Sequence, residues 1–191
     1  DVSHPVSLYA ATKKANELMA HTYSHLYQIP CTGLRLFTVY GPWGRPDMAP
    51  MLFAKAIISG KPIKLFNNGD MERDFTYIDD VVEAIIKILE KPPSKNTEYD
   101  YFNQKASTSW APYKIFNIGN KDPVNISDFL KILECEINKV ALKEYVKMPP
   151  GDVKKTFANT KLLEEWIGYS PKTPIKKGIR SFVKWYKNFY K

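Results

Sequence analysis

Leu8, Ala11, Ala15, Leu18, Thr22 and Leu26 recur at steps of three and four. That is the period of one helix face. It predicts a long helix that opens after Pro5 and Ser7, buries this face, and ends before Pro30. Cys31 to Tyr40 is dense in β-branched and aromatic residues and predicts a single buried strand. Two prolines and two glycines make 41–46 a loop. A short helix over Met51–Ser59 closes on Gly60, and a strand follows at Ile63–Phe66 before an Asn-Asn-Gly turn. Asp74–Ile78 alternates as a strand, and Asp79 or Asp80 then caps a helix to Leu89, stopped by Pro92 and Pro93. Residues 94–112 lack periodicity and predict an excursion loop. Next come a strand at Tyr113–Ile118, a helix of about twelve residues capped by Ser127, and a strand at Leu142–Val146. A loop at 149–152 and a short helix after Asn159 follow. Thr173 and Pro174 supply N-cap and first position of a last helix, with Ile175, Ile179, Phe182, Val183, Tyr186 and Tyr190 inward. Strands that alternate with helices predict an α/β class with a mainly parallel sheet.

Composition narrows the function classes. The chain of 191 residues is 44% hydrophobic, which is enough for a packed core. It has no apolar run of membrane-spanning length and its start does not read as a signal peptide, so no membrane partner is expected. The net charge of +8 is concentrated: residues 171–191 hold seven Lys and Arg and no acid, against 21 basic and 20 acidic residues before them. The basic excess belongs to the last helix, which argues against a nucleic-acid partner. Two cysteines, Cys31 and Cys135, form no CxxC pair or disulfide framework and point to a reducing cytoplasm.

Tyr9 and Lys13 stand at i and i+4 on the first helix, so phenol and ammonium are neighbours. A phenol is a poor base near neutral pH, and a nearby ammonium favours its phenolate. Such a pair can take a proton from a sugar hydroxyl while hydride leaves the same carbon. The bland alternative is a surface pair, and Tyr101 with Lys105 repeats the spacing in the polar loop by chance. His21 and His25 also stand at i and i+4, but no Glu follows His21 as a zinc protease motif requires, so they read as solvated helix histidines and no metal is expected.

Three segments carry a resemblance: Pro5-Val-Ser7-Leu-Tyr9-Ala-Ala-Thr-Lys13, Leu34-Arg-Leu-Phe-Thr-Val-Tyr-Gly-Pro42 and Arg73-Asp-Phe-Thr-Tyr-Ile-Asp-Asp80. Together they resemble the extended short-chain dehydrogenase/reductase superfamily. Thr38-Val-Tyr-Gly-Pro-Trp-Gly-Arg-Pro-Asp47 and Phe66-Asn-Asn-Gly69 are most similar to the bacterial UDP-glucuronate 4-epimerases of its NAD-dependent epimerase/dehydratase family. Phe116-Asn-Ile-Gly-Asn120 and Pro150-Gly-Asp-Val153 extend the likeness along the chain. Two positions depart from the family pattern: Pro149, where relatives carry a polar residue, and Asn159, where they carry Asp.

The resemblance implies the C-terminal part of a Rossmann-like parallel sheet plus a smaller mixed α/β substrate-binding subdomain. The sheet remnant covers about 1–47, 70–92 and 113–120, and the subdomain about 48–69 and 121–191. The glycine-rich turn that cradles a dinucleotide pyrophosphate in this superfamily is not found, because Gly41-Pro-Trp-Gly44 opens no helix. The N-terminal dinucleotide-binding half is therefore expected to be absent, and the NAD site to be incomplete.

By resemblance, Tyr9 is the acid/base at the sugar 4-hydroxyl, and Lys13 holds the nicotinamide ribose and lowers the Tyr9 pKa. Thr38 meets the sugar or its carboxylate. Arg45 and Arg73 meet the diphosphate or uridine, since a guanidinium fork suits phosphate oxygens. Phe66 and the Lys64 backbone meet uracil, and Asp152 accepts from a ribose hydroxyl. Structural alternatives stand beside these roles. Arg73 can pair with Asp79 or Asp80, Phe66 can be core, and Asp152 can cap a turn. The implied reaction oxidises C4 with NAD, turns the keto-sugar and returns hydride to its other face, which interconverts UDP-glucuronate and UDP-galacturonate for polysaccharide precursors. The rivals are a 4,6-dehydratase or decarboxylase on the same scaffold, and a non-catalytic remnant that binds nucleotide or oligomerises. Left without its other half, the chain is expected to bind no NAD and to be inactive. It is expected to self-associate through the Tyr9-bearing helix, whose Leu8, Ala15, Leu18 and Leu26 would lie bare together with the edge of the first strand.

Overall fold

A computed structural model describes residues 3–149 and 151–190; the expected contribution of Pro150 to its loop lies outside them. Helices and strands alternate as the sequence pattern predicts. The helices are α1 (Leu8–Tyr27), α2 (Ala49–Ser59), α3 (Ile78–Leu89), α4 (Ile126–Ile137), α5 (Lys161–Ile167) and α6 (Ile175–Phe189). The strands are β1 (Cys31–Leu36), β2 (Thr38–Tyr40), β3 (Pro62–Phe66), β4 (Glu72–Tyr77), β5 (Tyr113–Ile118), β6 (Pro123–Asn125) and β7 (Leu142–Val146).

The expected strand from Cys31 to Tyr40 is two strands. β1 runs parallel to β5, with Cys31 opposite Tyr113 and Leu36 opposite Ile118. At Phe37, whose N–H donates to the Ile118 carbonyl at 3.2 Å, the chain leaves that partner. β2 then pairs in parallel with β4, Thr38 opposite Phe75. The change of partner, invisible in a continuous apolar run, carries Thr38 from one sheet to the other. β4 also pairs antiparallel with β6, a three-residue strand too short to show a period, and β3 pairs in parallel with β7. Among the described residues β1 pairs with β5 alone.

The main core joins these layers. Tyr40, Phe53, Phe75, Phe129, Ile179 and Phe182 are buried in one cluster, with Phe75 stacked on Phe129 at 4.4 Å between ring centres. A second cluster packs Phe116 and Ile118 of β5 against Val81, Ala84 and Ile88 of α3 and Leu163 of α5. Gly178 lets α6 reach β2: a Cβ there would stand 2.0 Å from the Tyr40 hydroxyl.

Several caps differ from expectation. Asn125, not Ser127, caps α4: its Oδ1 accepts from the Ser127 N–H at 2.8 Å, and the Ser127 hydroxyl donates to the Gly69 carbonyl. Neither Asp79 nor Asp80 caps α3, which starts at Ile78 with Tyr77 before it. Asp80 instead accepts from the backbone N–H of Lys172 and Thr173 and from the Thr173 hydroxyl at 2.9 Å. That use of its hydroxyl is why Thr173 does not cap α6, whose N-cap position is Pro174. A buried carboxylate gathers the nearest donors, and here they come from a segment ninety positions away.

The face of α1 is reversed relative to expectation. Leu8, Leu18 and Leu26 are 82%, 57% and 63% exposed, and Ser24 is the one buried residue of the helix. The inward side is polar: Glu17 is bonded twice to Arg35 of β1 at 2.6 and 2.8 Å, and its carbonyl accepts from the Tyr113 hydroxyl. Burial alone would raise the Glu17 carboxyl, but hydrogen bonds from Arg35 and Lys14 hold it below the ordinary range. The apolar stripe, expected to be buried, instead faces outward. The charge of α6 also has a structural use. Arg180 pairs with Glu136, and Lys187 donates to the carbonyls of Glu136 and Ile137, where cations offset the negative end of α4.

Candidate functional site

A cavity of about 730 Å³ opens between α2 and the strands β3 and β4. Thr38, Lys64, Phe66, Arg73 and Asp152, five of the eight residues expected to form a site, line it together. Each reaches it for a local reason. Thr38 is the first residue of β2, just past the change of partner. On β3 the alternation buries Ile63 and Leu65 in the core and leaves Lys64 and Phe66 outward. Phe66, 42% exposed, is therefore not core. Arg73 comes from β4, and Asp152 from the loop before α5.

Arg73 does not pair with Asp79 or Asp80. Its Nη2 donates to Asp152 Oδ1 at 2.8 Å, and Nη1 donates to the carbonyls of Glu72 and Lys154. The same Asp152 oxygen accepts from the Val153 N–H at 2.8 Å, so Asp152 serves its own loop and binds Arg73 at once. Lys55, Lys61, Lys64 and Arg73 face the cavity against the carboxylates of Asp47 and Asp152. The balance is cationic and suits an anion. Leu52 supplies apolar wall beside Phe66.

Arg45 stands at the margin, in the loop after β2. Its guanidinium makes a two-point contact with Asp47. Asp47 raises the Arg45 pKa chiefly through that hydrogen bond, and the Tyr9 phenol adds to the effect. Tyr9 is thus within electrostatic reach of Arg45, although neither Tyr9 nor Lys13 lines the cavity. Tyr9 is 68% exposed on α1, with the Lys13 Nζ 5.3 Å from its ring centre. Phenol and ammonium are therefore adjacent as the spacing requires, and they open outward.

The residues fit one end of a dinucleotide. Tyr9 and Lys13 offer an exposed hydroxyl and cation side by side, as a nicotinamide ribose needs. The Gly41–Gly44 turn does not fit a pyrophosphate, because Trp43 sits in it at φ 62° and the chain continues into a loop. Asn159 accepts from the Lys161 N–H through Oδ1 and from Asn117 through its carbonyl. It shapes the start of α5 and lies away from the cavity.

Asp47, Lys55 and Lys61 were not expected at the site. Leu52, Lys55 and Ser59 lie on one side of α2 at helical steps, so the period alone could have found them. Asp47 was signalled by its place two residues after Arg45.

Residues 1–119 match the NAD dependent epimerase/dehydratase family. CapI of Staphylococcus aureus is 52% identical over 191 residues, which is all of this chain and 57% of that protein. A probable UDP-glucuronate 4-epimerase of Rhizobium meliloti is 45% identical over 190 residues, 98% of this chain and 55% of that protein. The crystal structure of a Bacillus cereus UDP-glucuronic acid 4-epimerase with UDP-glucuronic acid and NAD superposes with a TM-score of 0.82 at 33% identity, covering 98% of this chain and 55% of the other. The chain spans little more than half the length of these relatives.

Proposed function

The chain belongs to the NAD dependent epimerase/dehydratase family, and from that premise we propose that it carries the acid/base pair and most of the substrate pocket of a UDP-glucuronate 4-epimerase. The supporting observation is that Thr38, Lys64, Phe66, Arg73 and Asp152 meet in one cationic cavity beside the loop of Arg45. In this reading residues 48–69 and 121–191 form the substrate subdomain. Phe66 and the Lys64 backbone hold uracil, Asp152 accepts from the ribose, Arg73 and Arg45 bind the diphosphate, and Thr38 meets the sugar ring or its carboxylate. Tyr9 takes the proton from the sugar 4-hydroxyl and later returns it. Lys13, beside the phenol, stabilises the phenolate and holds the nicotinamide ribose. The chemistry that bound NAD would supply is reversible uptake of hydride from C4. The residues that cradle its pyrophosphate come from the part of the relatives that this chain does not span. The outward stripe of α1 offers a homo-oligomer contact, and the two free cysteines suit a cytoplasmic setting.

The test joins the chain in frame to the dinucleotide-binding half of a relative and supplies UDP-glucuronate. Conversion to UDP-galacturonate is expected. Release of carbon dioxide or of a dehydrated keto-sugar would reassign it to a decarboxylase or dehydratase, and nucleotide binding without turnover to a non-catalytic remnant.

A further inference from the structure

The helical histidines are not simply solvated. His21 Nε2 lies 2.6 Å from the Ser109 hydroxyl, and His25 Nδ1 accepts from the Trp110 indole N–H at 2.9 Å. Both partners belong to the segment before β5, which is strapped over α1. Ser109 Oγ also accepts from the Ala111 N–H, and its hydroxyl can either donate to or accept from His21. Tryptophan only donates. The His25 imidazole is therefore held as an acceptor at Nδ1, while His21 sits part-buried between the Trp110 and Tyr113 rings. The strap is ordered around them: Trp110 packs on both histidine rings and stacks on Tyr101, and Tyr113 meets His21 edge-on.

The groups facing the pair offer no compensation for added charge. On α1 the Glu17 carboxylate is committed to Arg35 and Lys14. From β5 the Tyr113 phenol, pushed up to about 12 mainly by burial, stays uncharged. From the strap Tyr99 and Tyr101 add rings, and β1 adds Cys31 beside Tyr113. Burial, and then His25, push the His21 pKa down. A lowered histidine favours the closed form above its ordinary value, and that contribution is lost as pH falls through it.

We propose that His21 and His25 form an acid-released latch between the Tyr9-bearing helix and the strap at residues 107–113. Protonation sets a donor on His25 against the Trp110 indole N–H and puts a charge on the part-buried His21 between two aromatic rings. Of the other α1 contacts to this region, Ser24 to the Pro112 carbonyl and Tyr113 to the Glu17 carbonyl remain, so the helix loosens without leaving.

Hydrogen exchange of the 191-residue chain tests this between about pH 8 and about pH 5.5. After correction for intrinsic rates, amides of 17–27 are expected to exchange about tenfold faster in acid, the worth of a lost hydrogen bond or two, with α4 and α6 unchanged. The double variant His21→Gln, His25→Gln keeps an acceptor oxygen and cannot titrate, so the step should vanish. Persistence of the step in that variant, or no step in the parent, overturns the latch. Should the variant not fold, the parent decides through the Trp110 indole proton resonance, assigned with Trp110→Phe. It must shift together with the histidine ring titration, and a resonance unmoved by that titration overturns the proposal.

Discussion

Arg73 and Asp152 meet as partners before any ligand arrives, with side chains 15% and 32% exposed. Arg73→Ala removes the proposed donor to phosphate and also leaves a half-buried carboxylate without its cation. UDP affinity is expected to fall by about 1.5–3 kcal/mol, roughly tenfold to a hundredfold, with free-sugar binding unchanged. Titration calorimetry on the isolated chain reads both, and equal UDP affinity in parent and variant would make the pair a loop clamp only. Tyr9 asks for a different measurement because it lies outside the cavity. In the joined enzyme Tyr9→Phe should cost about 10²–10⁴-fold in kcat with UDP-sugar binding retained. A loss below tenfold in steady-state rate would remove the phenol from the reaction. What the sequence made legible at this scale was residue type at a spacing: the Tyr9–Lys13 neighbours, and Arg73 as a residue with an acid partner. The identity of that partner was not legible, because Asp152 is distant in sequence and Asp79 is near.

Helices were easier to read than what they touch. The period of α1 locates the helix between Ser7 and the Pro30 boundary, and its apolar stripe predicts a buried face. Its direction was hidden, because period reveals a face and not which neighbour takes it. Here β1 and β5 take the polar side through Glu17, and the segment before β5 takes it through His21 and Ser24, so the leucines are left outside. Leu18→Glu with Leu26→Glu is therefore expected to abolish self-association while leaving the fold intact. Light scattering with circular dichroism checks this, and a parent that is already monomeric would sink the oligomer reading. At α4 the caps make a sharper test. Asn125→Ala should cost about 1 kcal/mol in urea unfolding, because Asn125 and not Ser127 satisfies the first-turn N–H. The strands show the converse problem. One apolar run held two strands, and only the pairing of Phe37 with Ile118 and of Thr38 with Phe75 divides them.

For the whole molecule, five of the expected site residues line one cationic cavity, and no pyrophosphate cradle is found among the described residues. The chain alone is therefore expected to bind UDP weakly and NAD not at all, as calorimetry would register. Micromolar NAD binding would mean that the cofactor site is built from residues assigned here to other work. α6 lies close against β2, and the contact of Gly178 with Tyr40 sets that distance. Gly178→Ala should overpack the joint by about 1–3 kcal/mol or more. Thermal unfolding measures the loss, and a stable alanine variant would show that Tyr40 can move aside. The joint also constrains descent. Every substitution at Gly178 adds at least a Cβ, and the ring carbon behind the Tyr40 hydroxyl is itself only 2.6 Å from that position. Exchange of Tyr40 for Phe would thus not open enough room. Leaving glycine here therefore requires the ring at position 40 to swing aside or be exchanged for a smaller side chain, so the two buried positions are expected to change together.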